Sequence, residues 1–368
     1  MGASPLASET TSSTDLNTNR ERIGVLVLVG AAILAVIGMA IGVLVGPLKI
    51  TFSEFSSVAL SWVGIGDAEN VSRVKTGVIE NIRAPRSLLG ALVGASLGIA
   101  GAAMQGFFRN PLADPGLIGV STGGALAAVA VIVLGGTLLA PILAFLGAFA
   151  LPLIAFLGSL VTVAIIYRVS VFDGRVIVAT MLLAGVAANA VAASGIGYFT
   201  FLADDAQLRD LTFWTLGSLG GAVWDRVLPA ALLMLISIAG LLTLARPLNC
   251  LLLGEADAET LGINVEATKR KAAFLTALGV GAATAVCGVI NFVGLVVPHV
   301  VRLITGPDHR FVLPGSALLG AALVMFSDLV ARISVAPAEL PLGVVTAAIG
   351  APFFFWLLIR DKRASGLG

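Results

Sequence analysis

The chain has 368 residues, of which 58% are hydrophobic and only 12% charged, and its formal net charge is +1. Soluble domains carry charge at about 25% of positions, so with a mean hydropathy of +1.03 the outer surface of this chain must meet lipid instead of water. The neutral balance, with no Lys/Arg stripe, excludes nucleic acid as a partner, and two cysteines, Cys250 and Cys287, are too few for a disulfide framework or a metal site.

Taken in chain order, residues 1–22 are polar and rich in Ser, Thr and Asn, the composition of a disordered tail with no cleavable signal. A bilayer core takes about 20 apolar residues in a helix. Segments of that kind lie near 23–46, 86–106, 115–135, 139–167, 176–200, 227–245, 272–291, 293–306, 313–334 and 341–360, the eighth being short. The expected fold is therefore an all-α polytopic membrane protein of about ten transmembrane helices. An even number puts both termini on one side. Arg20, Arg22, Arg109, Arg168, Arg175, Arg246, Lys269, Arg270, Lys271, Arg310, Arg360, Lys362 and Arg363 all fall on that side, which makes it cytoplasmic. The 47–86 connection is basic yet external, and that exception needs a cause.

The chain also repeats weakly. "VGASLGIAGAAMQ" (93–105) and "VGAATAVCGVINF" (280–292) align at an offset of 187, pairing Gly94 with Gly281, Gly101 with Gly288 and Pro111 with Pro298. The two copies would cross in opposite senses, and an inverted repeat is a transporter signature.

Gly90, Gly94, Gly98, Ala102 and Gly106 recur every four residues, a small-residue stripe that lets a neighbouring backbone approach. "GASLG" (94–98) matches a hydrolase elbow only by chance: it lies within an apolar helix, and the only histidines are His299 and His309. There is no catalytic constellation, no metal-ligand spacing and no phosphate-binding loop. Embedded charge is confined to Arg302, Asp328 and Arg332, which disfavours an ion-coupled carrier or channel. "RNPLADP" (109–115) reads as a rigid turn, with Asn110 and Asp114 as caps, and "VPHVVR" (297–302) as its counterpart near the outer face. Between the sixth and seventh spans, "NCLLLGEADAETLGINVEATKRK" (249–271) reads either as a solvated loop or as a docking element offering Ala258 and Leu261 to a partner.

Four ordered blocks, "RAPRSLLGALVGASLGIAGAAMQGFFRNPLADPGLIGVSTGGA" (83–125), "GEADAETLGINV" (254–265), "NFVGLVVPHVVRLITGPDHR" (291–310) and "ELPLGVVTAAIGAPFFFWLL" (339–358), resemble the permease subunits of type II ABC importers for iron-siderophore complexes, haem and cobalamin. The resemblance covers about residues 23–362, the expected transmembrane permease domain, with a cytoplasmic coupling loop at about 246–271. It implies that Gly254, Glu255, Ala258, Leu261 and Gly262 seat on a separate ATPase. It also implies that Arg83, Arg86 and Arg332 receive acidic residues of a periplasmic substrate-binding protein, which would explain the basic external loop. Val178, Ala179 and Thr180 fall at the cytoplasmic gate, and Asn189 and Ser194 on a path lined by the fifth and tenth spans of a homodimer. "LADDAQLRDLTFWTLGSLGGAVW" (202–224) is similar to the haem-importing branch. The expectation is a bacterial inner-membrane permease that moves haem, with a siderophore or cobalamin permease as the alternative. Its partners would be a second copy of itself, two ATPase subunits that use ATP and Mg, the binding protein, and lipid. The chain itself would hold no cofactor and no metal, and would have no catalytic residue.

Overall fold

The computed structural model of the protein describes residues 6–62, 64–65, 71–335 and 337–364. Sixteen helices follow one another: α1 (Leu6–Leu44), α2 (Phe52–Trp62), α3 (Arg73–Val78), α4 (Ala84–Phe107), α5 (Val120–Leu134), α6 (Ala140–Leu146), α7 (Ala150–Ser170), α8 (Val178–Leu202), α9 (Asp205–Leu216), α10 (Trp224–Leu242), α11 (Ala245–Leu251), α12 (Glu255–Thr260), α13 (Val265–Cys287), α14 (Val293–Thr305), α15 (His309–Ile333) and α16 (Leu342–Ala364). Two-residue strands, β1 (Val171–Phe172) and β2 (Arg175–Val176), form a hairpin between α7 and α8. Its turn residues Asp173 and Gly174 both have positive φ, as a two-residue hairpin requires.

Each of the ten expected spans is occupied by a helix, and six helical stretches are long and apolar enough to cross a bilayer. The expected tail differs: from Leu6 onward it continues α1 without a break. Extending an existing helix avoids the cost of nucleating one, so even a Ser/Thr-rich segment can follow. Residues 1–5 lie outside the described residues.

Helix α4 is the axis. Of its 24 residues, 20 are buried, a proportion that only surrounding helices can produce. The four-residue stripe explains how they come so close. A side chain at Gly94 would collide with the backbone of Gly320 in α15, one at Gly98 with Ser316, and one at Gly101 with Gly294 in α14. Without an apolar driving force between helices in lipid, such backbone contact is what holds them together.

Two short helices start inside the bundle. After Phe107 the chain turns at Arg109, which has φ +50°, and Asp114 accepts a hydrogen bond from the Gly116 N–H at 2.7 Å, capping the 3-10 turn Pro115–Ile118. Pro115 lies against Gly294 and beside the Leu97 carbonyl, ten residues back along α4, or roughly 15 Å at 1.5 Å per residue. "RNPLADP" is thus a turn that re-enters the bundle. Its expected counterpart at 297–302 is not a corner, because Pro298 and His299 lie within α14. The break falls earlier, at residues 288–292, where Gly288 and Phe292 both have positive φ. A proline removes only one donor, so a helix already held by its neighbours passes through it. Irregular backbone at membrane depth is tolerable here because it is surrounded by protein.

The repeat holds in part. Gly94 and Gly281 both pack within long helices, α4 and α13. Gly101 and Gly288 do not match locally, since one is helical and the other lies in the break.

At the α4 N-terminal end, α2 and α3 form a small lid with its own apolar cluster, Val43, Ile50, Val58, Val71 and Ile79. The Lys75 ammonium, 2.6 Å from Glu54, holds that carboxyl down to about 2, and the Trp62 and Trp224 indoles both donate to Glu80.

Substituting Gly98→Leu or Gly101→Leu forces α4 off its neighbours. The expected cost is about 3 kcal/mol or more in denaturant unfolding of the detergent-solubilised protein, or loss of folded yield. Gly77→Ala, with open space around the added carbon, leaves the midpoint unchanged or raises it by up to about 1 kcal/mol.

Candidate functional site

Three groups of expected site residues lie at different places on the bundle. At the α4 N-terminal end, Arg83, Arg86 and Arg332 are brought together but turned inward. All three are buried, and their donors are used within the chain. The Arg83 guanidinium donates to the carbonyls of Val43, Leu44 and Leu48, so it caps the C-terminal end of α1, where carbonyls lack helical partners. Arg86 donates to Asp328 at 2.8 and 3.1 Å and to Glu339 at 2.8 and 2.9 Å, a doubly bidentate arrangement. Arg332 lies 3.1 Å from the other Asp328 oxygen and donates to the carbonyls of Val45 and Gly42. Within the chain the guanidinium groups are engaged by the carbonyls at the end of α1 and by the carboxylates of Asp328 and Glu339. Glu339, partly exposed in the 337–341 loop, is held below the usual carboxylate range by the hydrogen bonds from Arg86.

At the opposite end, α11 and α12 precede α13. Gly254 (φ +125°) and Gly262 (φ +80°) bracket α12, and the positive φ at each explains why glycine stands at both turns. Within this element the expected contact face is only half right. Ala258 is 0% exposed and anchors α12 to the bundle, while Leu261, at 54%, projects outward together with Leu253. Ala258 and Leu261 share a face only if the helix continues, but α12 ends at Thr260 and the chain reverses at Gly262. Glu255 is not free either: it pairs with Lys269 at 2.7 Å. Nearby, Asn249 ties α11 to α15 by bonding Asp308 and His309. Burial opposes ionisation of Asp308, but hydrogen bonds from Arg310 and Asn249 outweigh it and hold the carboxyl below its ordinary value.

The third group lies along α8. Val178, Ala179 and Thr180 form its first turn, directly after the β1–β2 hairpin, with Ala179 exposed. Ser194 is exposed, whereas Asn189 points back into the chain, bonded to the Thr122 hydroxyl and, at 3.4 Å, to the Gly116 carbonyl. Asn189 is thus tied to α5 and the turn before it, and its neighbours form the open face. Ala179, Leu183, Ala187, Ala190, Ser194 and Gly197 recur at helical spacing on the open face. The open faces of α1 and α10 are different in kind, built of Val25, Leu26, Val29 and Ile33, and of Leu228, Leu232 and Leu235.

Sequence reasoning missed two residues. Glu339 sat in a loop with no periodic signal. Lys269 was read as one of three solvated basic residues, yet it is 1% exposed, while Arg270 and Lys271 are exposed. The available signal was the helical spacing of Val265, Thr268, Ala272 and Thr276, a buried stripe on which Lys269 lies. Among the described residues no cluster of three metal-ligating side chains occurs.

The profile of the FecCD transport family matches residues 31–360. The chain is 47% identical over 284 residues, 77% of its length and 83% of the relative's, to the hemin transport system permease protein of Yersinia pestis. It is 43% identical to the cobalamin import system permease protein of Halobacterium salinarum, over 79% of this chain and 75% of that one. Against the vitamin B12 import system permease protein of Escherichia coli it is 40% identical, over 77% and 83%. A solved metal-chelate-type ABC transporter in an inward-facing conformation superposes with a TM-score of 0.77 at 29% identity, covering 90% of this chain and 98% of that one. The glycine-packed axial helix, the two internal helix starts and the α12 projection therefore belong to a shared scaffold, and the chain is a member of the FecCD transport family, a membrane permease subunit of an ABC importer whose ATPase is a separate polypeptide.

Proposed function

We propose that the protein moves haem across the bacterial inner membrane, as a homodimer with its path between two copies of α8, both termini being cytoplasmic. The observation that carries this reading is the open face of α8. A face that meets only lipid is built of large side chains, as on α1 and α10. On α8, by contrast, Ala179, Ala187, Ala190, Ser194 and Gly197 leave space around Leu183, the one large side chain of this stripe, and none of them carries charge. Because α4 fills the axis of the chain, cargo has no route through a single copy. Two such faces enclose a corridor suited to a broad, mostly apolar molecule that must not be held tightly.

Haem is favoured over cobalamin or a siderophore by the likeness to the hemin permease and by the 202–224 segment, most of which forms α9 just beyond α8. The α12 element, with Leu253 and Leu261 projecting, is the seat for an ATPase subunit, one on each copy. A substrate-binding protein docks at the α4 N-terminal end, where Arg83, Arg86 and Arg332 shape the surface from beneath while Glu339 and the α2–α3 lid face outward.

Three outcomes test this reading. In proteoliposomes containing the permease and its ATPase, supplied with haem-loaded binding protein, haem accumulates only with ATP. Accumulation of a ferric siderophore or cobalamin instead would replace the cargo. Ala190→Trp blocks uptake while stability changes by no more than about 0.5 kcal/mol, because the added ring meets open space; uptake at the wild-type rate would remove the path from α8. Leu253→Asp with Leu261→Asp abolishes co-purification of the ATPase, and retention of the complex would move the seat elsewhere. For the arginine cluster, Arg86→Ala lowers the unfolding free energy of the isolated permease by about 3 kcal/mol with no partner present, since it strands two carboxylates.

A further inference from the structure

Lys269 is a buried cation that joins three separate segments. Its ammonium donates to Glu255 of α12 at 2.7 Å, to Glu266 of its own helix at 3.2 Å and to the Val176 carbonyl of β2 at 3.2 Å. An ammonium has three donors, and all three are placed. The Val176 N–H in turn donates to the second Glu266 oxygen at 2.9 Å. Both polar groups of one backbone residue are thus held by α13 side chains, two residues before α8 begins. Ile177, the residue between, is the N-cap of α8, and its N–H bonds the Ser170 carbonyl at the end of α7.

We propose that Lys269 is a positioning residue that fastens the first turn of α8 to α12, so that displacement of α12 is delivered to Val178, Ala179 and Thr180. This rests on the reading that α12 seats the ATPase and α8 lines the path. A buried ion pair contributes little net stability, because desolvation offsets the attraction; what it does well is fix the relative placement of its partners. Here the partners are the two elements that must move together. Among the described residues the one ion pair that joins β2 to α12 directly, Arg175 with Glu259 at 3.9 Å, is solvent-exposed and screened, and cannot substitute. Without the lysine, Glu255 and Glu266 face each other as like charges, which pushes α12 away from α13.

The test uses the assembled permease–ATPase complex with Cys250→Ser and Cys287→Ala, and spin labels at Asp257→Cys in α12 and Ile177→Cys at the α8 N-cap, both exposed positions. In the parent the distance between labels stays constant with and without nucleotide. In Lys269→Met the distribution widens and shifts on nucleotide binding, and the ATP hydrolysed per cargo molecule moved rises by about fivefold or more. Glu255→Gln cuts only the α12 arm and gives the same result, so the test survives if Lys269→Met fails to fold. Arg270→Met, exposed on the same turn, changes neither quantity. An unchanged distance and an unchanged ratio in both variants would overturn the proposal. If the parent shows no ATP-driven uptake but the label distance still widens in the variants, the link stands and the transport reading fails.

Discussion

The carbonyl oxygens of Gly320, Ser316 and Gly294 press against the α-carbons of Gly94, Gly98 and Gly101, and the shape of the bundle follows from that backbone contact. In lipid an apolar side chain gains nothing by leaving one hydrocarbon surface for another, so helices associate through close van der Waals contact. Two neighbours, α14 and α15, can press on α4 only because its side chains nearly vanish on the contact faces. The result is an axis with no room for cargo. On the outer surface, the open side of α8 carries a stripe of small residues, Ala179, Ala187, Ala190, Ser194 and Gly197, with Leu183 among them.

The two ends of the bundle solve one electrostatic problem in the same way. Each carries buried charge: Arg83, Arg86, Arg332 and Asp328 at one end, Lys269 at the other. Arg83 serves the end of α1 alone, while the other charges are shared among segments distant in sequence. Asp328 stands between Arg86 and Arg332, and Lys269 between α12, α13 and β2. Low dielectric surroundings make such bonds strong and the loss of one partner expensive. Charge therefore defines the geometry of the ends, where partners act, while glycine defines the geometry of the middle.

Much of this was legible in the sequence. Apolar length located the long helices, and the four-residue stripe gave the packed face of α4, because both signals are local and periodic. Fates that depend on distant partners were not legible. For Arg83 and Arg86 a sequence shows the charge but not the α1 carbonyls or the Asp328 carboxylate that bind it. Ala258 and Leu261 looked like one face until the helix ended between them. Nor does a sequence show the bonds of Asn189 to Thr122 and Gly116. Proline misled in the opposite direction: Pro298 suggested a corner, but surrounding protein keeps α14 helical through it and the break moves to Gly288 and Phe292.

The Arg83 cap also bears on how the chain is made. The last carbonyls of α1 receive their donors from a side chain 40 residues further along. At synthesis rates of about 5–20 residues per second, that guanidinium arrives roughly 2–8 s after the helix it completes. During this interval the C-terminal end of α1 must stay in contact with water or headgroups, since bare carbonyls are costly in hydrocarbon. The first helix of the protein is therefore unfinished when it enters the membrane. It becomes a settled span only when α4 follows, so the unit of insertion is the pair with its intervening lid.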